Sequence, residues 1–557
     1  MFQDPSDATR NLPGRRAVLK AMGVGVVGLV ALPTLSACSG APAPGGGNGG
    51  TPSLLPAPEQ QVPPLLDSAK VGQAVERLDG LIQDAMTRTG VPGIAAAVVH
   101  QDKVVYLKGF GVREAGKPEK VGPDTVFQLA SVSKPLASTV LAAVVGQGKI
   151  AWTDPVVGHN PAFSLKDPYV TSHATFVDLL SHRSGLHTGA GDLLEDLGFD
   201  RDYILGHLNQ QPLDTFRSSY NYSNFGYTAG GVAGAAAMNM SWEDLAEQVL
   251  FKPLAMASTS YRHRDYEAAA DKARPHVRAD DRTWVARYTR NADAEAPAGG
   301  ASSTVRDLAE WIRLQLGSGT YAGRAIVDAA ALEATHVPQN TVSRPAPPGG
   351  RTRFYGMGWN VSYDDKARLQ LSHAGAFNLG AATNVALLPG EQLGIVVLTN
   401  GRPEGISDAI SSGFFDIAQN GNPTVDWLGF FGGIYRKLDE SEKPETDYSK
   451  APAQVVPARA NSAYVGTYAN SYYGPLTIAE DGGGLVARLG PDAAPTTLHL
   501  SHFTGDTFSF ASIGENANGL AGAIFAADGS GPAPSVRLDF YDRTGLGTFV
   551  RGTGGHA

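Results

Sequence analysis

Two blocks of strand-like sequence stand far apart in this chain, and a fold has to bring them together. The first is a pair of apolar runs at 93–100 and 103–109, divided by Gln101-Asp102, which reads as a hairpin. The second block holds short β-type runs at 355–363, 367–373, 381–388 and 393–399, separated by Gly, Asn, Asp or Pro. Between the blocks the sequence is mixed and loop-rich, with helical patches near 176–181, 242–251 and 305–316. Before them, residues 71–88 place Val75, Leu78, Leu81, Ile82 and Met86 at helical spacing. One solution satisfies this order: an α+β unit in which both ends of the segment share an antiparallel sheet, flanked by helices, with a helical region inserted.

After residue 420 the pattern changes. A short apolar helix at 427–438 leads into a charged, Pro-containing connector, and short β-like runs follow at 464–468, 475–479, 484–489, 507–510 and 536–541. Their spacing is near that of a barrel or sandwich, so a C-terminal all-β, barrel-like domain is expected. A chain of 557 residues is too long for one ordinary core, which agrees with two folded units. The formal charge of −9 gives no electrostatic grip on nucleic acid.

The N-terminus reads as an address. Arg15 and Arg16 precede an apolar stretch beginning at Ala21, too short and Gly-rich for a good spanning helix. The paired arginines resemble a twin-arginine export signal, and Leu35-Ser36-Ala37-Cys38 resembles a bacterial lipobox, in which the cysteine is lipidated. Cys38 is the only cysteine, so no intramolecular disulfide can form. The Pro-, Gly- and Ala-rich stretch that follows cannot bury a core and reads as a tether. The expected layout is a signal at 1–37, a tether at 38–70, a catalytic domain at 71–420, a connector at 421–460 and the β domain at 461–557. The expected location is a bacterial envelope membrane, reached through lipidated Cys38.

Chemistry concentrates at Ser131-Val-Ser-Lys134. Leu136, Val140 and Val144 mark a buried helix, and Pro135 belongs in its first turn, which puts Ser131 at the helix start. There Lys134, three residues on, shares a face with Ser131 and can act as a base once burial removes its proton. Ser-x-x-Lys arises about once by chance in a chain this long, and this is the only example present. Tyr222-Ser-Asn224 offers a tyrosine to shuttle protons and an amide to orient the lysine and a substrate carbonyl. His373-Ala-Gly375, at the end of a β-like run, offers a strand edge whose glycine lets substrate approach. The N–H groups of Ser131 and Ala376 are then placed for an oxyanion hole. Two further matches, His187-Thr-Gly189 and Tyr468-Ala-Asn470, are given no role.

In that order and spacing, the three motifs resemble those of class C β-lactamases and low-molecular-weight penicillin-binding proteins. Supporting phrases are Phe127-Gln-Leu-Ala-Ser-Val-Ser-Lys134, Leu179-Leu-Ser-His-Arg-Ser-Gly-Leu186, Pro253-Leu-Ala-Met256, Ala298-Gly-Gly-Ala-Ser-Ser-Thr304 and Tyr355-Gly-Met-Gly-Trp359. The resemblance covers about residues 70–420 and implies a β-lactamase/transpeptidase-like fold with Ser131 as nucleophile. It leaves open whether Lys134 or the Tyr222 phenolate is the base. β-Lactamases of this type carry Lys-Thr-Gly as the third motif; His-Ala-Gly resembles the D-aminopeptidase, amidase and esterase relatives. The expected activity is an exported serine hydrolase forming an acyl-enzyme on small esters, amides or peptides, D-amino-acid derivatives among them. A β-lactamase or DD-carboxypeptidase ranks second, and a lipoprotein sensor that is acylated without turnover is the non-enzymatic alternative. No cofactor or metal is required: Gly-x-Ser-x-Gly, His-Glu-x-x-His and paired cysteines are all missing. His263 and His276 read as solvated loop residues. The oligomeric state is left undetermined.

Overall fold

The computed structural model describes residues 65–552 except 282, 344–350, 365, 528 and 530. The export signal, Cys38 and the tether up to residue 64 therefore lie outside the described residues. The tether expected to reach residue 70 ends earlier. The backbone N–H groups of Leu65 and Leu66 donate to the Glu391 carboxylate, and helix α1 (Ser68–Thr89) begins behind its N-cap Asp67.

Strands β1 (Gly93–His100) and β2 (Lys103–Gly111) form the expected hairpin. Gln101 and Asp102 take φ of +50° and +59°, as a two-residue turn with matching twist requires. The distant block supplies β3 (Asn340–Ser343), β4 (Arg353–Tyr355), β5 (Asn360–Tyr363), β6 (Leu369–Phe377), β7 (Ala381–Leu388) and β8 (Leu393–Thr399). The eight strands make one sheet in the order β2-β1-β8-β7-β6-β5-β4-β3, and β1 pairs antiparallel with β8, Ile94 opposite Thr399. The two ends of the segment thus meet, as the sequence order demands.

Both sheet faces are covered, which explains why β1 is apolar at nearly every position. Ile94, Ala96 and Val98 join a core with α1 and helix α5 (Ile406–Asn420), through Leu78, Ile82, Ile410 and Phe414. Ala95, Ala97 and Val99 face the other way, into a core built with α2 (Ser133–Gly146), α3 (Asn224–Ala237) and α4 (Val305–Leu316).

The structure departs from expectation in several places. The run at 355–363 is two strands, because Gly358 takes φ of +82° and turns the chain between them. The run expected at 367–373 begins at Leu369, after Ala367 turns at φ +61°, and continues to Phe377. Helices α3 and α5 were not expected: α3 is rich in glycine and alanine and buried nearly all round, whereas α5 does carry an apolar face of Ile406, Ile410, Phe414 and Ile417. His276 is not a solvated loop residue: it is fully buried, with Nε2 accepting from the Ala115 N–H at 2.9 Å and Nδ1 3.0 Å from the Asn400 carbonyl oxygen. Among the described residues no cluster suited to a metal ion occurs, and no helix is long and apolar enough to cross a membrane.

Helix α6 (Trp427–Ser441) leads to the terminal unit, a closed eight-stranded antiparallel barrel. Its strands are β9 (Gly466–Ala469), β10 (Leu476–Asp481), β11 (Gly484–Leu489), β12 (Thr496–Thr504), β13 (Thr507–Ala511), β14 (Leu520–Phe525), β15 (Ser535–Leu538) and β16 (Thr548–Arg551). β9 pairs with β16 and closes it, leaving no free sheet edge.

Candidate active site

Ser131 sits in a short 3-10 turn (Ala130–Val132) that runs directly into α2. The preceding Ala130 takes φ of +49°, a costly conformation for a residue with a Cβ, so the surroundings must hold it there. They do so through packing against Ala292, Phe377 and Ala381. The first turn of α2 is clamped from three sides. Tyr261 Oη donates to the Ser133 carbonyl at 2.8 Å, Tyr227 Oη to the Lys134 carbonyl at 2.7 Å, and the Ala301 N–H to Ser133 Oγ at 2.9 Å.

Lys134 is wholly buried, and its Nζ meets Ser131 Oγ at 3.1 Å, Asn224 Oδ1 at 2.8 Å and the Ala298 carbonyl at 3.0 Å. It also lies 4.5 Å from the centre of the Tyr222 ring. As an ammonium Lys134 donates to all three acceptors; once burial removes its proton, two N–H donors suffice for Asn224 Oδ1 and the Ala298 carbonyl, and a lone pair is left for the Ser131 hydroxyl. Desolvation pulls the Lys134 ammonium down to about 7, against the attraction of the Glu295 and Asp192 carboxylates. Arg290 adds to the lowering.

Asn224 is the first residue of α3, not a loop residue, with Ser223 as N-cap accepting from the Gly226 N–H at 3.0 Å. The helix is disguised in sequence by its glycines, which are there for contact: a Cβ on Gly234 would lie 2.2 Å from Leu141 of α2, and one on Gly231 2.7 Å from Pro297. This close packing delivers Asn224 to Lys134. Tyr222, just before the helix, shares a hydrogen bond with Ser131, and burial pushes its phenol well above the ordinary value, so it is neutral.

His373 lies mid-strand in β6 rather than at a strand end. Its buried ring is tied at both nitrogens, Nε2 to Tyr355 Oη at 2.9 Å and Nδ1 to the Ala374 carbonyl at 2.8 Å. Desolvation, helped by Lys134, drops its pKa to about 3, so the imidazole is neutral. Two residues on, Gly375 presses against the nucleophile's turn. A Cβ there would lie 2.1 Å from the Leu129 carbonyl, 2.2 Å from Thr383 Oγ1 and 3.1 Å from the Ser131 nitrogen. Ala376 follows, exposed.

Six of the seven catalytic and substrate-site residues singled out in the sequence therefore lie around Lys134 and the Ser131 turn, and Ala376 follows Gly375 in β6. Four others belong with them and carried no pattern of their own. His182, at φ +57°, accepts from the Ser223 N–H at 3.2 Å and packs with its ring tilted 40° to that of Tyr222, centroids 4.4 Å apart. Tyr355 anchors His373, Ala298 supplies a carbonyl to Lys134, and Asp192 accepts from Asn224 Nδ2 at 3.4 Å. The Leu179–Leu186, Ala298–Thr304 and Tyr355–Trp359 phrases contain three of these, His182, Ala298 and Tyr355, and Asp192 has no sequence signal. Of the set-aside matches, Gly189 donates to the Tyr222 carbonyl at 3.1 Å and borders the site, whereas Tyr468 belongs to the barrel, where its hydroxyl donates to the Tyr464 carbonyl at 2.7 Å.

Replacing Gly375 by Val should drive β6 away from the Ser131 turn. The rate of Ser131 labelling by a fluorophosphonate is expected to fall by about 100-fold or more, the scale of losing an oxyanion donor, with circular dichroism unchanged.

Comparison with known proteins bears on the family and the fold. The family model described as Beta-lactamase matches residues 78–410, and a domain of unknown function (DUF3471) matches residues 450–546. Unguisins hydrolase ungD' of Aspergillus campestris is 25% identical over 433 residues, spanning 72% of this chain and 77% of that protein. The octameric penicillin-binding protein homologue from Pyrococcus abyssi superposes with a TM-score of 0.55 at 20% identity, covering 86% of this chain and all of that one. A class C β-lactamase from Rhodobacter sphaeroides gives 0.51 at 21% identity, covering 61% and 98%.

Proposed function

Because this chain belongs to the β-lactamase family and is a hydrolase of the serine type found there, we propose that it cleaves small esters or amides through an acyl-enzyme on Ser131. The observation that carries this is the buried Lys134 amino group, whose Nζ lies 3.1 Å from Ser131 Oγ. Lys134, not the Tyr222 phenolate, is the base: its ammonium is brought down to about 7, whereas the Tyr222 phenol is held protonated.

Ser131 Oγ attacks the acyl carbon as Lys134 takes its proton. The oxyanion forms between the N–H groups of Ser131 and Ala376, the latter following the Gly375 that packs against the Ser131 turn. Tyr222 donates its proton to the departing oxygen or nitrogen and is re-protonated from Lys134. Water then attacks the Ser131 ester with Lys134 again as base, which releases the acid and restores the serine. Asn224 orients the Lys134 amine through its Oδ1 and hydrogen-bonds Asp192 through its Nδ2.

The third motif supports ranking β-lactams below simple esters and amides. A β-lactam presents a carboxylate, and His373 is a neutral ring with both nitrogens engaged. Ser131→Ala is expected to abolish fluorophosphonate labelling and hydrolysis of p-nitrophenyl esters; retained turnover moves the nucleophile elsewhere. A panel of short esters, D-amino-acid amides and nitrocefin checks the ranking, and nitrocefin turnover equal to ester turnover reverses it.

The pH profile has a defined sign. Lys134 must be unprotonated, so kcat/KM should drop about tenfold per unit on the acid side of pH 7. Burial also lifts the Asp192 carboxyl to about 7, so it favours the ammonium only where it is still ionised; Asp192→Asn should move the acid limb to lower pH or leave it in place, and a limb displaced to higher pH contradicts Lys134 as base.

We also propose export and anchorage through lipidated Cys38, supported by the order of Arg15-Arg16, apolar stretch and Leu35-Ser36-Ala37-Cys38. Cys38→Ala should shift the protein from the membrane to the soluble fraction on cell fractionation; unchanged membrane attachment refutes the lipobox.

A further inference from the structure

The loop between β13 and β14 of the barrel reaches into the catalytic unit, and Glu515 is its tip. Both Glu515 carboxylate oxygens are used there. Oε1 accepts from the Asn378 N–H at 2.5 Å, and Oε2 accepts from the Leu379 N–H at 3.2 Å and lies 3.4 Å from Arg290 Nη1. The Glu515 carbonyl accepts from Asn378 Nδ2 at 3.2 Å, and its own N–H donates to Asp196 Oδ1 at 2.8 Å. Gly514 makes this approach possible. It takes φ of +85°, and a Cβ on it would lie 2.3 Å from the Asp196 carboxylate.

What Glu515 holds leads to the reacting atoms by two routes. Asn378 and Leu379 form the turn that ends β6, directly after Gly375, Ala376 and Phe377. Phe377 packs on Ala130, beside Ser131, and the Arg290 guanidinium covers the Phe377 ring at 4.5 Å. By the second route, Arg290 bonds Glu295 Oε1 at 2.8 Å, and Glu295 precedes the short helix Ala296–Gly299 whose Ala298 carbonyl receives Lys134 Nζ. Arg290 also pairs with Glu195 at 2.5 Å. The guanidinium is thus shared by two carboxylates of the catalytic unit and one of the barrel.

We propose that Glu515, carried by the barrel, is a positioning residue for the acyl-transfer site: by fixing the β6–β7 turn and Arg290 it sets the strand that bears Gly375 and Ala376 and the carbonyl that orients Lys134. The barrel is then part of the working enzyme. The proposal rests on the acyl-enzyme reading given above.

The test uses the full chain and ester hydrolysis, with rates divided by the concentration of Ser131 titrated with fluorophosphonate. Glu515→Ala should lower kcat by about tenfold or more while KM stays within about twofold, the pattern of a misplaced catalytic group. Glu515→Gln keeps an acceptor for the Asn378 N–H and should restore kcat to within about threefold of the parent. Gly514→Ala displaces the loop without touching the carboxylate and should lower kcat in the same way. Gln210→Ala cuts a separate contact between the two units, Gln210 Nε2 to the Ser471 carbonyl at 2.9 Å, and should leave kcat unchanged. The proposal is overturned if kcat of Glu515→Ala per titrated site is within about twofold of the parent, or if Gln210→Ala loses as much. Ser131→Ala decides the acyl-enzyme reading independently, so its failure and that of the Glu515 role are told apart.

Discussion

Burying the Lys134 amine beside Ser131 is the constraint on which the rest of the site depends. Among the described residues no carboxylate lies within ion-pair distance of its Nζ; the contacts are a hydroxyl, an amide oxygen and a backbone carbonyl. A buried ammonium without a bonded counter-charge is costly, so the group is poised to lose its proton. Its carboxylates stand one step back, Asp192 behind Asn224, and Glu295 at the head of the helix that offers Ala298. A direct salt bridge would hold the proton on; removing the carboxylates altogether would strip it too easily. The architecture follows from this need. An apolar α2 seals the amine, a glycine-rich α3 brings Asn224 close, and a central sheet carries Gly375 to the other side.

The parts legible in the sequence were those governed by local spacing. Ser131 and Lys134 are three residues apart and need no tertiary knowledge, and the hairpin at Gln101-Asp102 follows from alternation and turn chemistry. The pairing of β1 with β8 was legible because apolar strands at both ends of a segment have few ways to be satisfied. Helix α3 was not: Gly226, Gly230, Gly231 and Gly234 lower helix propensity, and their value lies in contacts with Leu141, Leu180 and Pro297 that no local pattern records. Likewise β6 continues past His373 because Gly375, Ala376 and Phe377 pair with Thr383, Ala382 and Ala381 of β7, a tertiary match that the local pattern does not record.

Charged groups were the least legible. Asp192, Glu195, Glu295, Arg290 and Glu515 carry no motif, and each is ordinary where it stands in the chain. Their meaning comes from gathering in a dry space: Arg290 meets Glu195, Glu295 and Glu515 with only about a tenth of its side chain exposed. Burial raises the carboxyl pKa of Glu195 well above its ordinary value and that of Glu515 to about 7, so the cluster's charge is set by shared solvation. Such a cluster gives specificity of arrangement more than stability, because desolvation offsets the Coulomb gain.

The neutral ring at position 373 gives the substrate side of the site its character. His182 lies next to it across Tyr222 and Tyr355, and burial holds its imidazole neutral as well. The wall formed by these rings is thus aromatic and uncharged; both His373 nitrogens are spent on Tyr355 and Ala374, while His182 uses Nδ1 on Ser223 and leaves its buried Nε2 without a partner among the described residues. A carboxylate brought to this wall loses its hydration without gaining a cation, whereas an uncharged acyl group loses little. On the proposed reading, the base and a preference for neutral acyl groups share one physical origin: the burial that lowers the Lys134 ammonium is the burial that keeps this wall uncharged.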